Sequence, residues 1–322
     1  MSATSATRTA HTSACVQKRT SRECGSSQSC FRRASASSNG MEDRHRRIVA
    51  VFAGPPAGED DWNDCHQEAF DAVREAAGMD DFDPQELERW GKFPTLTLGV
   101  SYGGGQKKPG NLKTTQGANA LFFLMSKKCF ERMAGHASTV YATYKPKMVR
   151  FCSDVLGALF KHDTSLRRPF PRSIFTATSF NLGPQSVTWR HVDGNNLAHG
   201  FCAVTPIGDY DYTKGGHLYL WEYGVVVEFP PGSLALFPSA IVHHGNTSVQ
   251  PGEWRASITH FIAGGLFRWV ACGFRALWRF EKEDPQGKAA YDESLSTQLS
   301  EALSLFSKDT ELRSDLEAVF GP

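Results

Sequence analysis

After Pro171 the apolar residues of this 322-residue chain change from helical to period-two spacing, and that change limits the possible folds more than any other feature. Segments 174–180, 187–191, 201–206, 216–223, 225–229, 233–237 and 255–261 each read as a short strand. Turn signals separate them: Leu182-Gly183-Pro184, Gly208-Asp209, Lys214-Gly215-Gly216 and Pro230-Pro231-Gly232. Many short strands at this spacing bury one face each by folding into two facing sheets. The expectation is a double-stranded β-helix, a cupin-like jelly-roll.

Upstream the pattern is mostly helical. Residues 61–77 have helical spacing closed by Gly78, and Asp83-Pro84 opens a second short helix through Trp90. A strand over 95–100 runs into Gly103-Gly104-Gly105. Two helices are expected between Asn119 and Phe160, one centred on 121–130 and one on 142–160, as a layer over one sheet face. The fold class is therefore α+β. Four regions follow: a basic tail at 1–47, an acidic helical segment at 48–94, the jelly-roll domain with its helical insert at 95–280, and a polar helical tail at 281–322. The last has leucines at 295, 299, 303 and 316 and no evident chemistry.

Charge is segregated although the net is only +1. Residues 1–47 hold nine Lys/Arg against three acids in a Ser/Thr/Ala-rich stretch, a composition that predicts disorder. The stretch is also like an organellar transit peptide, with Met41 as an alternative start. Residues 53–92 hold twelve acids against three bases. Residues 101–172 hold thirteen bases, including Lys107, Lys108, Lys127, Lys128, Arg167 and Arg168, against Glu131, Asp154 and Asp163. That basic segment is either a phosphate-facing surface or a solvated face that pairs with the acidic segment. No apolar run approaches the ~18 residues of a membrane span. The eight cysteines are scattered, three of them (Cys15, Cys24, Cys30) in the polar tail, which suits reduced thiols in a cell interior.

Within the period-two region one constellation carries chemistry. His191-Val192-Asp193 ends an apolar run, a histidine pair follows at His243-His244, and Arg255 lies eleven residues beyond His244. Two imidazoles and a carboxylate on one side of a metal leave its other positions open, the facial triad of non-haem Fe(II) oxygenases. Spacing alone does not decide between His243 and His244, because both preceding faces (Ile241, Val242) are apolar. Arg255 shares a strand face with Ser257 and Thr259, while Trp254, Ala256 and Ile258 form the apolar one. An always-charged guanidinium there could clamp the distal carboxylate of a 2-oxoacid.

Several stretches resemble a fungal branch of the 2-oxoglutarate/Fe(II) dioxygenases. They are Gly99-Val-Ser-Tyr-Gly-Gly-Gly-Gln106, His191-Val-Asp-Gly-Asn-Asn-Leu197, Gly215-Gly-His-Leu-Tyr-Leu-Trp221, Glu228-Phe-Pro-Pro-Gly-Ser233, His244-Gly-Asn246 and Ala263-Gly-Gly-Leu-Phe-Arg-Trp269. Within that superfamily the chain is similar to the TET/JBP enzymes, which oxidise 5-methylcytosine or thymine in DNA. They share H-x-D-x-x-N with a glycine four residues on, matched by His191, Asp193, Asn196 and Gly200. The resemblance spans about residues 95–275.

The resemblance implies an enzyme that uses Fe(II), 2-oxoglutarate and O2, with ascorbate as a reductant, to hydroxylate a C–H bond. The metal ligands it implies are His191, Asp193 and His244, since the distal histidine of that branch stands two residues before an asparagine, here Asn246. Arg255, Ser257 and His217 match its cosubstrate positions, and Asn196 its base-contacting asparagine. Asn195 takes the place of a histidine in animal relatives, whose cysteine-rich zinc region is missing here. DNA is the implied partner and the nucleus the implied compartment. The same chemistry on a protein side chain, RNA base or small metabolite, and a non-catalytic cupin-like module, are the alternatives.

Overall fold

The computed structural model describes residues 16–17, 39–80, 82, 91–114 and 116–321. Its strands are β1 (Val16–Gln17), β2 (Asn39–Glu42), β3 (Ile48–Ala53), β4 (Thr95–Ser101), β5 (Gly110–Asn111), β6 (Ala177–Asn181), β7 (Cys202–Asp209), β8 (Leu218–Leu220), β9 (Val225–Val227), β10 (Leu234–Phe237), β11 (His244–Asn246) and β12 (Trp254–Phe261). Its helices are α1 (Trp62–Ala76), α2 (Ala118–Met125), α3 (Lys128–Tyr144), α4 (Pro146–His162), α5 (Gly264–Ala271), α6 (Leu277–Glu283), α7 (Pro285–Ser294), α8 (Gln298–Ser304) and α9 (Leu312–Phe320).

Among the described residues the strands form two antiparallel sheets. The larger runs β2-β3-β10-β7-β12-β6-β4-β5 and the smaller β1-β9-β8-β11. Together they make the expected jelly-roll. Ala50, Phe52, Cys202, Leu220, Val227 and Phe237 fill one apolar core. Because those residues come from both sheets, that core lies between them.

The outer face of the large sheet is apolar as well, and helices cover it. Ala256, Ile258, Phe180 and Ile207 pack with Phe70 and Val73 of α1 and with Phe130 and Met133 of α3. Val51, Ala203 and Leu236 pack with Tyr141, Met148 and Leu156 of α3 and α4. Each buried side chain of this size contributes ~1.5–3 kcal/mol relative to exposure. The alternation along β12 thus separates an apolar face toward the helices from a polar face toward the small sheet.

Three boundaries differ from the sequence expectation. Residues 39–53 are neither disordered nor helical: β2 pairs with β3, and β3 pairs with β10 inside the large sheet, so the jelly-roll begins well before residue 95. The helical insert holds three helices, because Lys145 breaks the run and Pro146 restarts it at the first turn of α4, where a missing N–H costs nothing. Residues 187–190 form no strand, and only His191 bridges to β11. The helix expected from Asp83 to Trp90 and the disorder and transit-peptide expectations for 1–38 lie almost wholly outside the described residues. No described helix is long and apolar enough to cross a membrane. The described cysteines are all free thiols.

Candidate metal centre and substrate groove

His191 and His244 sit directly opposite one another. Their backbones exchange both hydrogen bonds, His191 N–H to His244 carbonyl at 3.0 Å and the reverse at 2.9 Å. The two rings therefore lie side by side, 4.2 Å between centroids. Asn246 holds this pairing in register: its side-chain oxygen accepts from the backbone N–H (3.0 Å) and hydroxyl (2.7 Å) of Thr188, and its amide donates to the Ser186 carbonyl at 3.0 Å. This explains the use of His-Gly-Asn in β11.

Each histidine donates Nδ1–H backward to a carbonyl, His191 to Trp189 at 2.7 Å and His244 to Val242 at 2.9 Å. Those bonds fix the tautomer that leaves Nε2 as a lone-pair donor. Burial pushes the His244 imidazole down to about 4, which keeps it neutral, the form that ligates metals. Asp193 faces both rings, its Oδ1 3.8 Å from His191 Nε2 and its Oδ2 3.7 Å from His244 Nε2. One ligand atom from each residue lies within 4.8 Å of the others. The donor set and its pre-oriented imidazoles fit a single first-row ion.

His243 is not part of this group. It points away into an exposed pair with Glu222, Nδ1 to Oε1 at 2.5 Å. The open choice between the two histidines is thus decided by β-pairing, which the apolar residues before them could not reveal.

Asn196 is placed differently from a base reader alone. Its amide donates to Asp193 Oδ2 at 3.4 Å and to Ser239 Oγ at 3.0 Å, while the Asp193 backbone N–H donates to the Ser239 carbonyl at 2.9 Å. Sequence reading missed Ser239, which supports both residues, and no motif marked it. Asn195 is exposed at the adjoining turn.

Arg255 lies on the polar inner face, 3% exposed. Its Nη1 donates to the Ser186 carbonyl at 2.7 Å, and its buried Nε has no partner among the described residues. The Tyr210 hydroxyl also reaches the guanidinium, and burial draws its pKa down. Among the described residues no carboxylate pairs with it. A buried cation with an orphaned donor is costly unless an anion completes it. Ser257, on the same face, accepts from the Asn181 amide at 2.9 Å.

His217 also has a buried Nε2 without a partner among the described residues. It follows Gly216, whose φ of +70° and approach to Tyr210 disfavour a side chain, since an added Cβ would lie 2.6 Å from Tyr210 Cε2 and 3.3 Å from Arg255 Cδ. These two buried polar atoms, Arg255 Nε and His217 Nε2, suit a small polar anion such as 2-oxoglutarate.

Beside the triad runs an open groove of about 870 Å³, walled by loop residues 194–199, α5, the Tyr102–Gly104 loop and the C-terminal helices. Asn196 belongs both to the groove lining and to the Asp193 contact, so groove and metal face adjoin. Gly265 lets α5 meet that loop, because a Cβ there would fall 1.9 Å from the Tyr102 carbonyl oxygen.

No family model and no curated protein matches the chain. Among solved structures it is similar to NgTET1 in complex with 5mC DNA, with a TM-score of 0.40 and 15% identity over 69% of this chain and 75% of that one. It is also similar to AviO1 from Streptomyces viridochromogenes Tue57 (0.32, 13%, 68% and 91%). A third is an oxidoreductase of the 2OG-Fe(II) oxygenase family from Burkholderia pseudomallei (0.26, 16%, 65% and 94%). The chain thus sets a His-x-Asp…His cluster in a jelly-roll that also carries, on its polar inner face, a buried arginine with no carboxylate partner among the described residues.

Proposed function

We propose that the chain hydroxylates a C–H bond at the expense of 2-oxoglutarate, and that the bond belongs to the methyl group of 5-methylcytosine, or of thymine, in DNA. The observation that carries the chemistry is the triad of pre-oriented donors opening beside a groove. Iron held there would activate O2, so that one oxygen atom enters succinate as CO2 leaves and the other enters the product hydroxyl. Arg255 binds the distal carboxylate of 2-oxoglutarate, with Ser257 and His217 as further contacts. The Trp189 and Val242 carbonyls keep both imidazoles aimed at the metal, and Asn196 with Ser239 orients the Asp193 carboxylate.

The match of His191, Asp193 and Asn196 to H-x-D-x-x-N supports the DNA reading. With its amide committed to Asp193, Asn196 has its side-chain oxygen left for a base, and exposed Asn195 stands beside it. Lys107 and Lys108 follow the Gly103–Gly104 wall of the groove, and Arg268 lines it. A flipped base would cost a few kcal/mol of stacking, and a DNA substrate would place the protein in the nucleus.

The test is purified protein with Fe(II), ascorbate and 2-oxoglutarate on methylated duplex DNA, read by nucleoside mass spectrometry. Hydroxymethylated base is expected. Charge reversal at Lys107 and Lys108 should weaken binding to all sequences alike and flatten its salt dependence. Succinate release without base oxidation would remove DNA and keep the oxygenase; no succinate release would leave a binding module.

A small metabolite is a second reading, favoured by two observations. Much of the basic segment is engaged within the molecule: Arg132 pairs with Glu59 and Asp61, Lys147 with Asp315, Lys108 with Asp163, and Lys145 is buried. Leucine, valine, phenylalanine, isoleucine and alanine together supply about half of the groove's lining.

A further inference from the structure

The C-terminal helices do more than decorate the jelly-roll. Leu295, Leu299 and Leu303 recur every four residues and line the groove, yet they are 43%, 71% and 37% exposed. Leucines facing water in a row at a cavity wall are an unpartnered apolar surface. Phe151 and Phe267 line the same groove, tilted against each other with centroids 5.4 Å apart. Among the described residues the groove's Lys/Arg lining is one exposed residue, Arg268, and no carboxylate lines it. Among the described residues Arg268 makes no ion pair. The groove is therefore mostly apolar along its walls, with Asn195, Asn196, His199 and Gln298 as neutral polar points and Arg268 as a cationic one, and it adjoins the triad through Asn196.

We propose that this groove is the substrate site and that it takes a small amphipathic anion. The apolar body lies against Leu295, Leu299 and Leu303, and the anionic head rests on Arg268. This rests on the oxygenase reading and takes its small-metabolite branch. It makes the C-terminal helices the specificity-determining wall. Charge complementarity selects an anion over a cation, and continuity with the metal face brings the body's C–H bonds to the oxidising side.

The probes are dodecanoate and its methyl ester, titrated against the full chain carrying 1-anilinonaphthalene-8-sulfonate as a displaceable reporter. Dodecanoate should displace the reporter from one site more tightly than the ester. Leu299→Asp should weaken dodecanoate by about tenfold or more, since it sets a carboxylate in the apolar wall. Leu299→Met should stay within about twofold, as a volume-conserving swap. Arg268→Gln should weaken dodecanoate and leave the ester unchanged, erasing the preference for charge. Unaltered dodecanoate binding in Leu299→Asp, or no preference for the acid over the ester, would overturn the proposal. So would displacement of the reporter by a methylated duplex oligonucleotide but not by dodecanoate. Succinate release by the wild type with Fe(II) and 2-oxoglutarate is measured alongside. Its absence with normal dodecanoate binding would sink the oxygenase reading and leave the groove's ligand class standing.

Discussion

Single side chains decide the chemistry, and the two adjacent histidines show how. Alanine at His191, Asp193 or His244 should each abolish turnover and sharply weaken Fe(II) binding, because each would remove one of the three donors placed to hold the ion. His243→Ala should be mild, since that ring meets only the exposed Glu222; iron affinity lost in His243→Ala and kept in His244→Ala would reverse the assignment. Arg255→Ala should raise the 2-oxoglutarate requirement by roughly 2–5 kcal/mol of lost pairing, and Arg255→Lys should recover only part of it because an ammonium cannot fork. Titrating 2-oxoglutarate against succinate release checks this, and an unchanged requirement would move the clamp elsewhere. Asn196→Ala should weaken Fe(II) binding about tenfold, the usual scale for a lost partner of a metal ligand, whereas Asn195→Ala should spare iron and alter only substrate oxidation. Equal iron affinities in the two variants would refute the support role. Of these residues His191, Asp193 and Arg255 stand out in the sequence by motif and alternation. Ser239 does not, because it acts through its backbone carbonyl and one hydroxyl, which leave no pattern in a sequence.

Elements were legible where period and burial agree. The alternation of β12 survives intact because Ala256 and Ile258 face helices while Arg255 and Ser257 face the site. β3 was missed because Ile48-Val-Ala-Val-Phe-Ala53 is apolar on both faces, as a strand between a helical layer and an inner core must be, and period two vanishes there. The same double burial creates a pH liability on β12. His260 is fully enclosed, stacked on Phe175 at 5.7 Å with Nδ1 against the Thr178 hydroxyl at 2.9 Å, and burial pushes its pKa down to about 3. The folded imidazole stays neutral while the unfolded chain takes up a proton near its ordinary value of about 6.5. Its contribution to stability is therefore complete above that value and is lost as pH falls from there toward 3. Urea midpoints measured from pH 7.5 down to 5 should decline, and the decline should be shallower in His260→Gln; parallel declines in the two proteins would show that another group drives it.

At the scale of the whole molecule the C-terminal segment matters beyond its groove wall. It reads as a polar appendage because its core contribution rests on one short stretch. Phe306 is 8% exposed inside the main core, facing Phe201 at 6.2 Å, and Ser307 gives its carbonyl to the Ile48 N–H at 2.9 Å where β3 begins. The buried Lys145 amine lies between Phe201 and Phe306, 4.0 and 3.0 Å from their centroids, and donates to the His199 carbonyl at 3.3 Å. Lys147 pairs with Asp315 at 3.0 Å and ties α4 to α9. One aromatic ring thus screens a buried amine and plugs the end of the core next to the loop that carries Asp193 and Asn196. Phe306→Ala should cost about 3 kcal/mol or more, because it opens a cavity and leaves a buried amine facing it. Ending the chain after Phe280 should cost more still and weaken Fe(II) binding as the 193–200 loop loses its backing. Leu299→Ala, on the exposed side of the same segment, should leave the melting temperature nearly unchanged. Thermal denaturation of the three proteins decides the matter: a truncated chain that melts with the full-length protein would make the segment the appendage its composition suggests.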